Sequence, residues 1–452
     1  MGVFKFLVIQ SVVVILSSLL AWHISQYGHQ PTAYMDEIFH IPQAQKYCNG
    51  SFEEWDPKIT TLPGLYLFSI GLLKPFQQIL SITNRELCSV LNLRLINTLF
   101  CAGNFYLFVV ITETLNKKNQ QENYTLLKAL TLSLMPLLFF FNFLFYTDSG
   151  SLFFILYAYY YHLKGSYSAA AILGMISMIF RQTNIVWVFF MSLCNVSRIL
   201  YKQMRLESRE THTVCFLLTH SLPVFVINTV ISCWSYGIVG VTAIAFVLWN
   251  GSVVVGDKSA HEASFNPPQL GYFALFTLGL SLMHLVTVTK IKQFLNNICS
   301  NAFVYMVAIA TSTLLIYQFT QVHPYLLADN RHYTFYFWSK LYARFTWSRY
   351  ILLPVYLFSL WSINHSLSHI HSMIRGCLWV CICAALVPQK LIEFRYFVVP
   401  YMLIRLHMKG ETTRSLLLEL TLYILINSFT LHRFLYKPIF WPNVEEPQRI
   451  MW

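Results

Sequence analysis

Long apolar runs recur along the whole of this 452-residue chain, and they constrain its fold more than any other feature. A helix needs about 20 mostly apolar residues to cross the hydrocarbon core of a bilayer. The first such run is Val3–Ala21 and the last is Leu416–Leu435, with many others between them. The pattern predicts an all-α polytopic membrane protein with about 12–14 transmembrane helices.

The composition excludes a soluble fold. Hydrophobic residues make up 56% of the chain and charged residues only 11%, whereas an average globular domain carries about 25% charged residues. The formal net charge is +12, but the basic residues are scattered through short segments between apolar runs. Scattered basic loops are typical of membrane proteins beside anionic headgroups, so we expect membrane lipid, and not nucleic acid, as the partner of these charges.

We expect one integral-membrane domain, residues 1–452, because the chain has no internal repeat, linker or low-complexity tract. The first apolar run lacks a clean small-residue cleavage site, which favours a retained anchor over a signal peptide. Residues 23–59 hold five of the 19 acidic residues, and residues 321–349 are rich in aromatic and basic residues. We predict that these two hydrophilic segments form large loops, the first containing amphipathic helices.

The cysteines give no sign of a metal site. None of the ten forms a CxxC pair or a Cys/His cluster. We therefore expect neither a structural zinc nor a disulfide framework, and we predict no metal and no cofactor. An N-glycosylation sequon occurs at Asn49 in the first hydrophilic segment. Glycosylation of Asn49 would indicate that this segment is lumenal, in agreement with a cytosolic amino terminus.

The strongest candidate for chemistry is the stretch TAYMDEIFHIPQAQKYC, Thr32–Cys48. Pro42 suits the first turn of a helix, so Asp36 and Glu37 would lie at or just before a helix start, with His40 one turn away. Glycosyl transfer with inversion needs one positioned carboxylate, which takes the proton of the attacking hydroxyl. A helix cap with a solvated acid is the alternative interpretation of this pair.

Several other polar residues interrupt apolar runs, and they are further candidates for the functional site. Arginine, lysine and histidine could bind a phosphate, and aromatic side chains could stack on a sugar. Charges inside apolar segments are costly unless they are paired or used. The candidates for binding a phosphate or a sugar are Arg331, His332, Tyr333, Lys390 and Arg395, and the secondary ones are His40, Asp56, Asp148, Arg181, Asn330 and Glu393.

The chain has none of the motifs of soluble nucleotide-dependent or hydrolytic enzymes. It contains no GxxxxGK[ST], no GxGxxG that opens a helix after a strand, no HExxH and no GxSxG. This absence disfavours a nucleotide-powered pump and a transferase with a Rossmann-like nucleotide-sugar domain.

Five long motifs resemble those of the dolichyl-phosphate-glucose α-1,2-glucosyltransferases of the endoplasmic reticulum (ER). They are YMDEIFHIPQAQKYC, WDPKITTLPGLYLFSIG, FRQTNI, LLADNRHYTFY and VPQKLIEFRYFVVPY. The resemblance implies a GT-C fold in the ER membrane with its active site facing the lumen. It also implies inverting transfer from dolichyl phosphate β-glucose to Glc2Man9GlcNAc2 on dolichyl diphosphate. In such enzymes an acid of the first lumenal loop is at the reacting centre, which corresponds to Asp36, with Glu37 as the close rival.

Two other functions remain open at this point. One is a GT-C enzyme with another lipid donor, such as dolichyl phosphate mannose. The other is a non-enzymatic polytopic protein, such as a transporter or a regulatory partner of a channel. A transporter would place its ionisable residues near the bilayer midplane, often with repeat symmetry, whereas here the acids concentrate in one loop.

Overall fold

The structure is a computed structural model. It describes residues 3–26, 30–80, 83–116, 122–207, 222–258, 263–324, 327, 329–442 and 444–452. Almost all of its regular structure is helical. The helices of the amino-terminal part are α1 (Val3–Ile24), α2 (Glu37–Cys48), α3 (Gly64–Leu80), α4 (Asn84–Leu87), α5 (Val90–Leu115), α6 (Glu122–Ser133), α7 (Pro136–Phe141), α8 (Thr147–Leu163), α9 (Tyr167–Phe180), α10 (Ile185–Glu207) and α11 (Leu222–Asn250).

The carboxyl-terminal part continues the bundle and ends in a small hairpin. Its helices are α12 (Pro268–Leu280), α13 (Leu282–Leu285), α14 (Val288–Ser300), α15 (Ala302–Phe319), α16 (Tyr333–Phe337), α17 (Ser348–Ile351), α18 (Leu353–Ser366), α19 (Ser372–Leu386), α20 (Val398–His407) and α21 (Thr413–Tyr436). The antiparallel strands β1 (Ile439–Trp441) and β2 (Val444–Gln448) follow α21.

Six helices within the described residues are long and apolar enough to cross a membrane. They are Phe4–Ile24, Val90–Leu115, Gln182–Gln203, Leu222–Asn250, Ala302–Phe319 and Thr413–Tyr436. The shorter helices α9 and α19 are also apolar. The predicted class, an all-α polytopic membrane protein, is confirmed, whereas the count of about 12–14 transmembrane helices stays a prediction.

A proline divides one of the long apolar runs. The apolar run Leu126–Tyr146 would be long enough to form a single helix, but α6 ends at Ser133 and α7 begins at Pro136. Proline lacks a backbone N–H and is tolerated in the first turn of a helix, so it begins a new helix instead of continuing the old one. After α7 the chain runs irregularly to Tyr146, which is buried.

One end of the bundle, here called the site end, collects segments from the whole chain. It contains α2, the start of α8, the segments on either side of α16 and the residues between α19 and α20. Hydrogen bonds tie further segments into this end: Tyr34 with Arg449, Thr60 with Val255, Asn266 with Val387, and Arg331 with Met451. Gly64 begins α3 here, and a Cβ at this position would lie 2.7 Å from the carbonyl oxygen of Ile179, so only glycine allows this approach.

The other end, here called the opposite end, buries a network of charges. Lys128 of α6 pairs with Glu411 at 2.7 Å, and Arg405 of α20 pairs with Glu419 of α21 at 2.6 Å. Arg405 also contacts Glu411, and His284 lies 2.9 Å from Glu419. Charges buried among apolar helices are tolerated when they pair with one another, and this network joins α6, α20 and α21.

The expectation of no disulfide framework is wrong for one pair. A disulfide joins Cys48, the last residue of α2, to Cys88, two residues before α5. These cysteines are 40 residues apart in the chain, and a spacing of this kind carries no signature that sequence reading recognises. The bond attaches the helix of the first hydrophilic segment to the bundle.

The first predicted loop, residues 23–59, contains α2 between irregular stretches, and residues 27–29 lie outside the described part. The second, residues 321–349, contains α16, a single π-helical turn at Trp338–Tyr342 and the start of α17. Residues 325, 326 and 328 of this loop also lie outside the described part. Both loops lie at the site end, where Arg331 and Tyr34 contact neighbouring residues of the carboxyl-terminal segment.

Candidate active site

Asp36 immediately precedes α2 and is positioned by its backbone. Its carbonyl oxygen accepts hydrogen bonds from the N–H groups of Phe39 and His40, both at 3.0 Å, and its own N–H donates to Tyr146 Oη at 3.1 Å. Met35, just before it, has φ 54°, a conformation that is uncommon outside glycine and recurs at functional sites. The Asp36 side chain is 41% exposed, so its carboxylate is accessible to a ligand.

Arg395 lies at the centre of three carboxylates. Its Nη1 is 3.1 Å from Asp36 Oδ2 and 3.7 Å from Asp148 Oδ2, and its guanidinium also contacts the carboxylate of Glu393. The guanidinium carbon lies 5.4 Å from the ring centroid of Tyr146, in the range of a cation–π contact. This arginine therefore brings together acids from three separate regions of the sequence.

Arg181 adds a second cation to this cluster. Its Nη2 lies 3.0 Å from Asp148 Oδ1, and its Nε donates to Thr147 Oγ1 at 3.2 Å. Arg181 lies between α9 and the short turn that begins α10, whereas Thr147 and Asp148 begin α8. Asp36, Asp148, Glu393, Arg181 and Arg395 form what we call the ion cluster.

The ion cluster keeps Asp36 ionised. Burial raises the pKa of its carboxyl, but the charge of Arg395, the nearby His40 and His332 and a hydrogen bond from Arg395 together hold this pKa below its ordinary value. Burial lowers the pKa of the neighbouring His40 to about 4, so its imidazole is neutral at pH 7. His40 Nδ1 and Tyr66 Oη share a hydrogen bond of 2.5 Å, and the His40 ring contacts that of Tyr146.

Glu37 is adjacent to Asp36 but lies in a different environment. Its side chain is 0% exposed. Oε2 accepts from Arg94 Nη2 at 2.6 Å and from the N–H of Tyr34 at 3.2 Å, while Oε1 accepts from Arg94 Nε at 3.0 Å and from the N–H of Phe145 at 2.7 Å. Both oxygens are thus occupied by donors of the protein, and a substrate proton cannot reach them without a rearrangement.

The segment at Asn330–Tyr333 contacts the carboxyl-terminal residues. Arg331 donates hydrogen bonds to both carboxylate oxygens of Asp329 and to Gln448 Oε1 at 2.6 Å, and it stacks on the ring of Trp441. Asn330 Oδ1 accepts from Trp441 Nε1 at 3.2 Å. Arg331 and Asn330 are therefore engaged within the protein.

His332 and Tyr333 lie against Trp452. His332 Nδ1 is 2.9 Å from the carbonyl oxygen of Trp452, and the rings of Tyr333 and Trp452 are 5.1 Å apart. Tyr333 Oη and Trp452 Nε1 are buried and have no hydrogen-bond partner in the described part of the chain. The Trp452 ring also approaches Phe394, the neighbour of Arg395, at 6.3 Å.

The remaining predicted residues lie apart from the ion cluster or on its margin. Asp56 Oδ1 accepts from the N–H of Lys58, so this carboxylate stabilises a turn. Lys390 is half-buried a few residues before Glu393, and its side chain has no hydrogen-bond or ion-pair partner among the described residues. Asn49 is exposed at the end of α2.

Sequence reasoning missed Arg94, Tyr66, Tyr146 and Trp452. A signal for Arg94 existed, because it is an isolated charge within the apolar run Leu91–Thr112 and such charges are usually paired. The three aromatic residues had no such signal in a chain that is 17% aromatic. Among the described residues, no group of three or more His, Cys, Asp or Glu side chains is placed to hold a metal ion.

Comparisons with known proteins point to one family. A sequence model of the DIE2/ALG10 family matches residues 30–406. A human protein named Dol-P-Glc:Glc(2)Man(9)GlcNAc(2)-PP-Dol alpha-1,2-glucosyltransferase is 41% identical over 440 residues, which cover 93% of each chain. Proteins of the same name from Drosophila melanogaster and Arabidopsis thaliana are 37% and 33% identical, over 92% and 100% of this chain and 93% and 100% of their own.

Proposed function

Since the chain belongs to the DIE2/ALG10 family, we propose that it is a glucosyltransferase that uses dolichyl phosphate glucose. It transfers glucose to Glc2Man9GlcNAc2 on dolichyl diphosphate and forms an α-1,2 linkage. The observation that carries this function is the 41% identity to a human protein of that name over 93% of both chains. The reaction completes the lipid-linked oligosaccharide used for protein N-glycosylation.

The chemistry needs one base and a stabilised leaving group. A β-linked donor and an α-linked product require inversion, so the 2-hydroxyl of the terminal glucose attacks the anomeric carbon in line with the departing phosphate. We assign the base to Asp36, which accepts the hydroxyl proton as the new C–O bond forms and the bond to dolichyl phosphate breaks. Its carboxylate is accessible, and its lowered pKa keeps it in the ionised form that a base needs.

Glu37 acts as a positioning residue in this proposal. Its carboxylate binds Arg94 of α5 and the N–H groups of Tyr34 and Phe145, which lie in the segments on either side of the Asp36–Tyr146 contact. This fixes the start of α2 and leaves Asp36 as the residue that faces a ligand. Of the two predicted acids, the surroundings therefore favour Asp36 as the base.

The departing phosphate needs cations that strengthen their contacts as negative charge develops. We assign Arg395 and Lys390 to this role. Arg181 adds a further positive charge to the ion cluster. Arg395 is now shared by three carboxylates, and a phosphate can take over one of these positions because bidentate arginine–phosphate pairs are strong. Arg331 is already bound by Asp329, so we assign it to the structure of the loop.

His332 and Tyr333 lie where they could contact the glucose of the donor. Buried tyrosine and tryptophan side chains usually find a hydrogen-bond partner, whereas Tyr333 Oη and Trp452 Nε1 have none in the described residues. A sugar that stacks on Trp452 would bring hydroxyl groups to both atoms. We therefore propose that these two aromatic side chains and His332 bind the transferred sugar.

We propose that the protein is a multi-pass enzyme of the ER membrane and that its site end faces the lumen. The Cys48–Cys88 disulfide supports this orientation, because disulfides persist in oxidising compartments. A donor with a polyprenyl tail can then enter from the bilayer, which avoids exposing the tail to water at about 0.8 kcal/mol per CH₂. We also propose that residues 1–452 form one GT-C domain, because residues from both halves of the chain build the ion cluster.

The direct test of this function is a transfer assay with purified protein. The donors are dolichyl phosphate glucose and dolichyl phosphate mannose, and the acceptor is Glc2Man9GlcNAc2 on dolichyl diphosphate. We expect a product one hexose larger with the glucose donor only, and linkage analysis should show an α-1,2 bond. Transfer from the mannose donor alone would contradict the proposal and favour the other GT-C function, and no transfer from either donor would favour a non-enzymatic role.

A further inference from the structure

A cavity lies at the opposite end of the bundle, between α10, α19 and the segment that precedes α19. Its volume is about 520 Å³. The residues that give it its chemistry are Arg198, Arg375, His369, His371, Ser368 and Ser372. We call it the basic cleft.

The basic cleft is remote from the ion cluster. Arg198 lies 14 residues beyond Asn184 on α10, which is about 21 Å at the rise of an α-helix. Arg375 lies in the first turn of α19, whereas the last turn of α19 leads to the residues around Arg395. Both helices therefore extend from the reaction site to the basic cleft, and a ligand in the cleft would not contact the reacting atoms.

The charge of the basic cleft is of one sign. No aspartate or glutamate is among the described residues that line it. The guanidinium groups of Arg198 and Arg375 have no hydrogen-bond or ion-pair partner in the part of the chain that the structure describes. Burial, followed by the charge of the nearby Lys409, lowers the pKa of His369.

Two guanidinium groups that have no counter-ion among the described residues, beside serine hydroxyls, match the chemistry of a phosphate, which arginine binds through its planar fork. Ile370 and Ile374 form part of the wall, so an apolar chain could leave the cleft along α19. Basic pockets between membrane helices are known to bind anionic headgroups. We propose that the basic cleft binds the phosphate-bearing headgroup of an anionic membrane lipid, a site that is separate from the donor and acceptor of the proposed reaction.

The test measures the stability of the full-length protein in nanodiscs of different lipids. The discs contain phosphatidylcholine alone, or phosphatidylcholine with phosphatidic acid or phosphatidylinositol, and a further sample in phosphatidylcholine receives inorganic phosphate. A ligand that binds only the folded state raises Tm with its concentration. We expect either anionic lipid to raise Tm and inorganic phosphate to have no comparable effect.

Variants separate the basic cleft from general surface charge. Arg198→Gln with Arg375→Gln should weaken lipid binding at least tenfold and remove the rise in Tm. The matched control, Lys202→Gln with Arg414→Gln, removes two exposed positive charges outside the lining of the cleft and should keep the rise. Ser368→Trp fills the cleft without changing its charge and should also abolish binding. This variant tests the proposal independently if the arginine variant does not fold.

Equal loss of the Tm rise in the cleft variant and in the control would overturn the proposal, because simple surface attraction would then explain the effect. Retention of the rise in Ser368→Trp would overturn it as well. A rise caused equally by inorganic phosphate would overturn the assignment to lipid. Activity with dolichyl-linked substrates is not needed for any of these readouts, so their failure and the failure of the proposed function are distinguishable.

Discussion

Asp36 and Glu37 are neighbours in the sequence, but their surroundings give them different chemistry. Asp36 is accessible and pairs with Arg395, whereas Glu37 is enclosed and pairs with Arg94. The sequence predicted both acids, as well as Arg395, as candidates. It could not separate the two acids, because the partner of each carboxylate is far away in the chain and only the packing of α5 against the first loop brings Arg94 to Glu37.

Loss of the charge on Glu37 should destabilise the protein. Glu37→Gln leaves the buried Arg94 without its counter-ion, and breaking one partner of a buried pair costs about 3–5 kcal/mol of the free energy of unfolding. The measurement is chemical unfolding of the purified protein in detergent. The control is Glu54→Gln, whose exposed pair with Lys46 should contribute at most about 1 kcal/mol. Equal effects of the two variants would contradict the positioning role.

The charge of Arg395 should set the acid limb of the pH–rate profile. A base must be ionised to act, and Arg395 holds the pKa of Asp36 below its ordinary value. Activity should therefore persist as the pH falls towards the ordinary carboxyl range and be lost only below it. In Arg395→Gln the pKa rises and the limb in kcat/KM should move to higher pH, in addition to a lower maximal rate.

The control for this profile is Arg331→Gln. Arg331 is neutralised by Asp329, so its loss should leave the position of the acid limb unchanged. An unchanged limb in Arg395→Gln would mean that another group controls the ionisation that catalysis requires.

Among the elements of the site, α2 is held to the bundle by a covalent bond as well as by packing. The sequence predicted a helix that begins near Asp36, and α2 is present over Glu37–Cys48. The placement of Pro42 in the first turn is wrong, because Pro42 is the sixth residue of α2. The sequence did not predict the disulfide that joins the end of α2 to the residues before α5. Disulfide connectivity, like the break before Pro136 in a long apolar run, depends on how segments meet in space, and hydropathy does not record this.

Removal of the disulfide should loosen this attachment. Cys48→Ser with Cys88→Ser should lower the free energy of unfolding by about 2–4 kcal/mol, the usual contribution of a disulfide. The control is Cys299→Ser, which removes an exposed free cysteine. Thermal unfolding in detergent measures the stability of the double variant and of the control. Maleimide labelling of the denatured wild-type protein before and after reduction should show two additional reactive thiols after reduction, and no increase would contradict the bond.

At the scale of the whole molecule, the periodic apolar runs were sufficient to predict a polytopic helical protein, because lipid requires each span to satisfy its own backbone. They were not sufficient to define each helix, since several elements of the site end are shorter than a span. The ion cluster combines Asp36, Asp148, Arg181 and Glu393 around Arg395. Only the folded bundle brings these five residues together.

The proposed orientation predicts which sequons are glycosylated. Asn49 is exposed at the site end and should be modified. A second sequon, Asn364-His365-Ser366, lies at the end of α18 near the opposite end and should not be modified. The measurement is the change in electrophoretic mobility on treatment with an endoglycosidase, for the wild type, Asn49→Gln and Asn364→Gln. We expect the shift to decrease in Asn49→Gln alone. A decrease in Asn364→Gln would place the site end in the cytosol and contradict the orientation.

The most direct test of the mechanism is the rate of glucose transfer by Asp36→Asn. The amide keeps the size of the side chain but cannot accept the proton, and we expect kcat to fall by at least about a hundredfold, within the usual contribution of acid–base catalysis. The thermal stability should stay close to that of the wild type, and the exposed loop variant Glu53→Gln should keep its activity. Transfer by Asp36→Asn within a few-fold of the wild-type rate would contradict the assignment of Asp36 as the base.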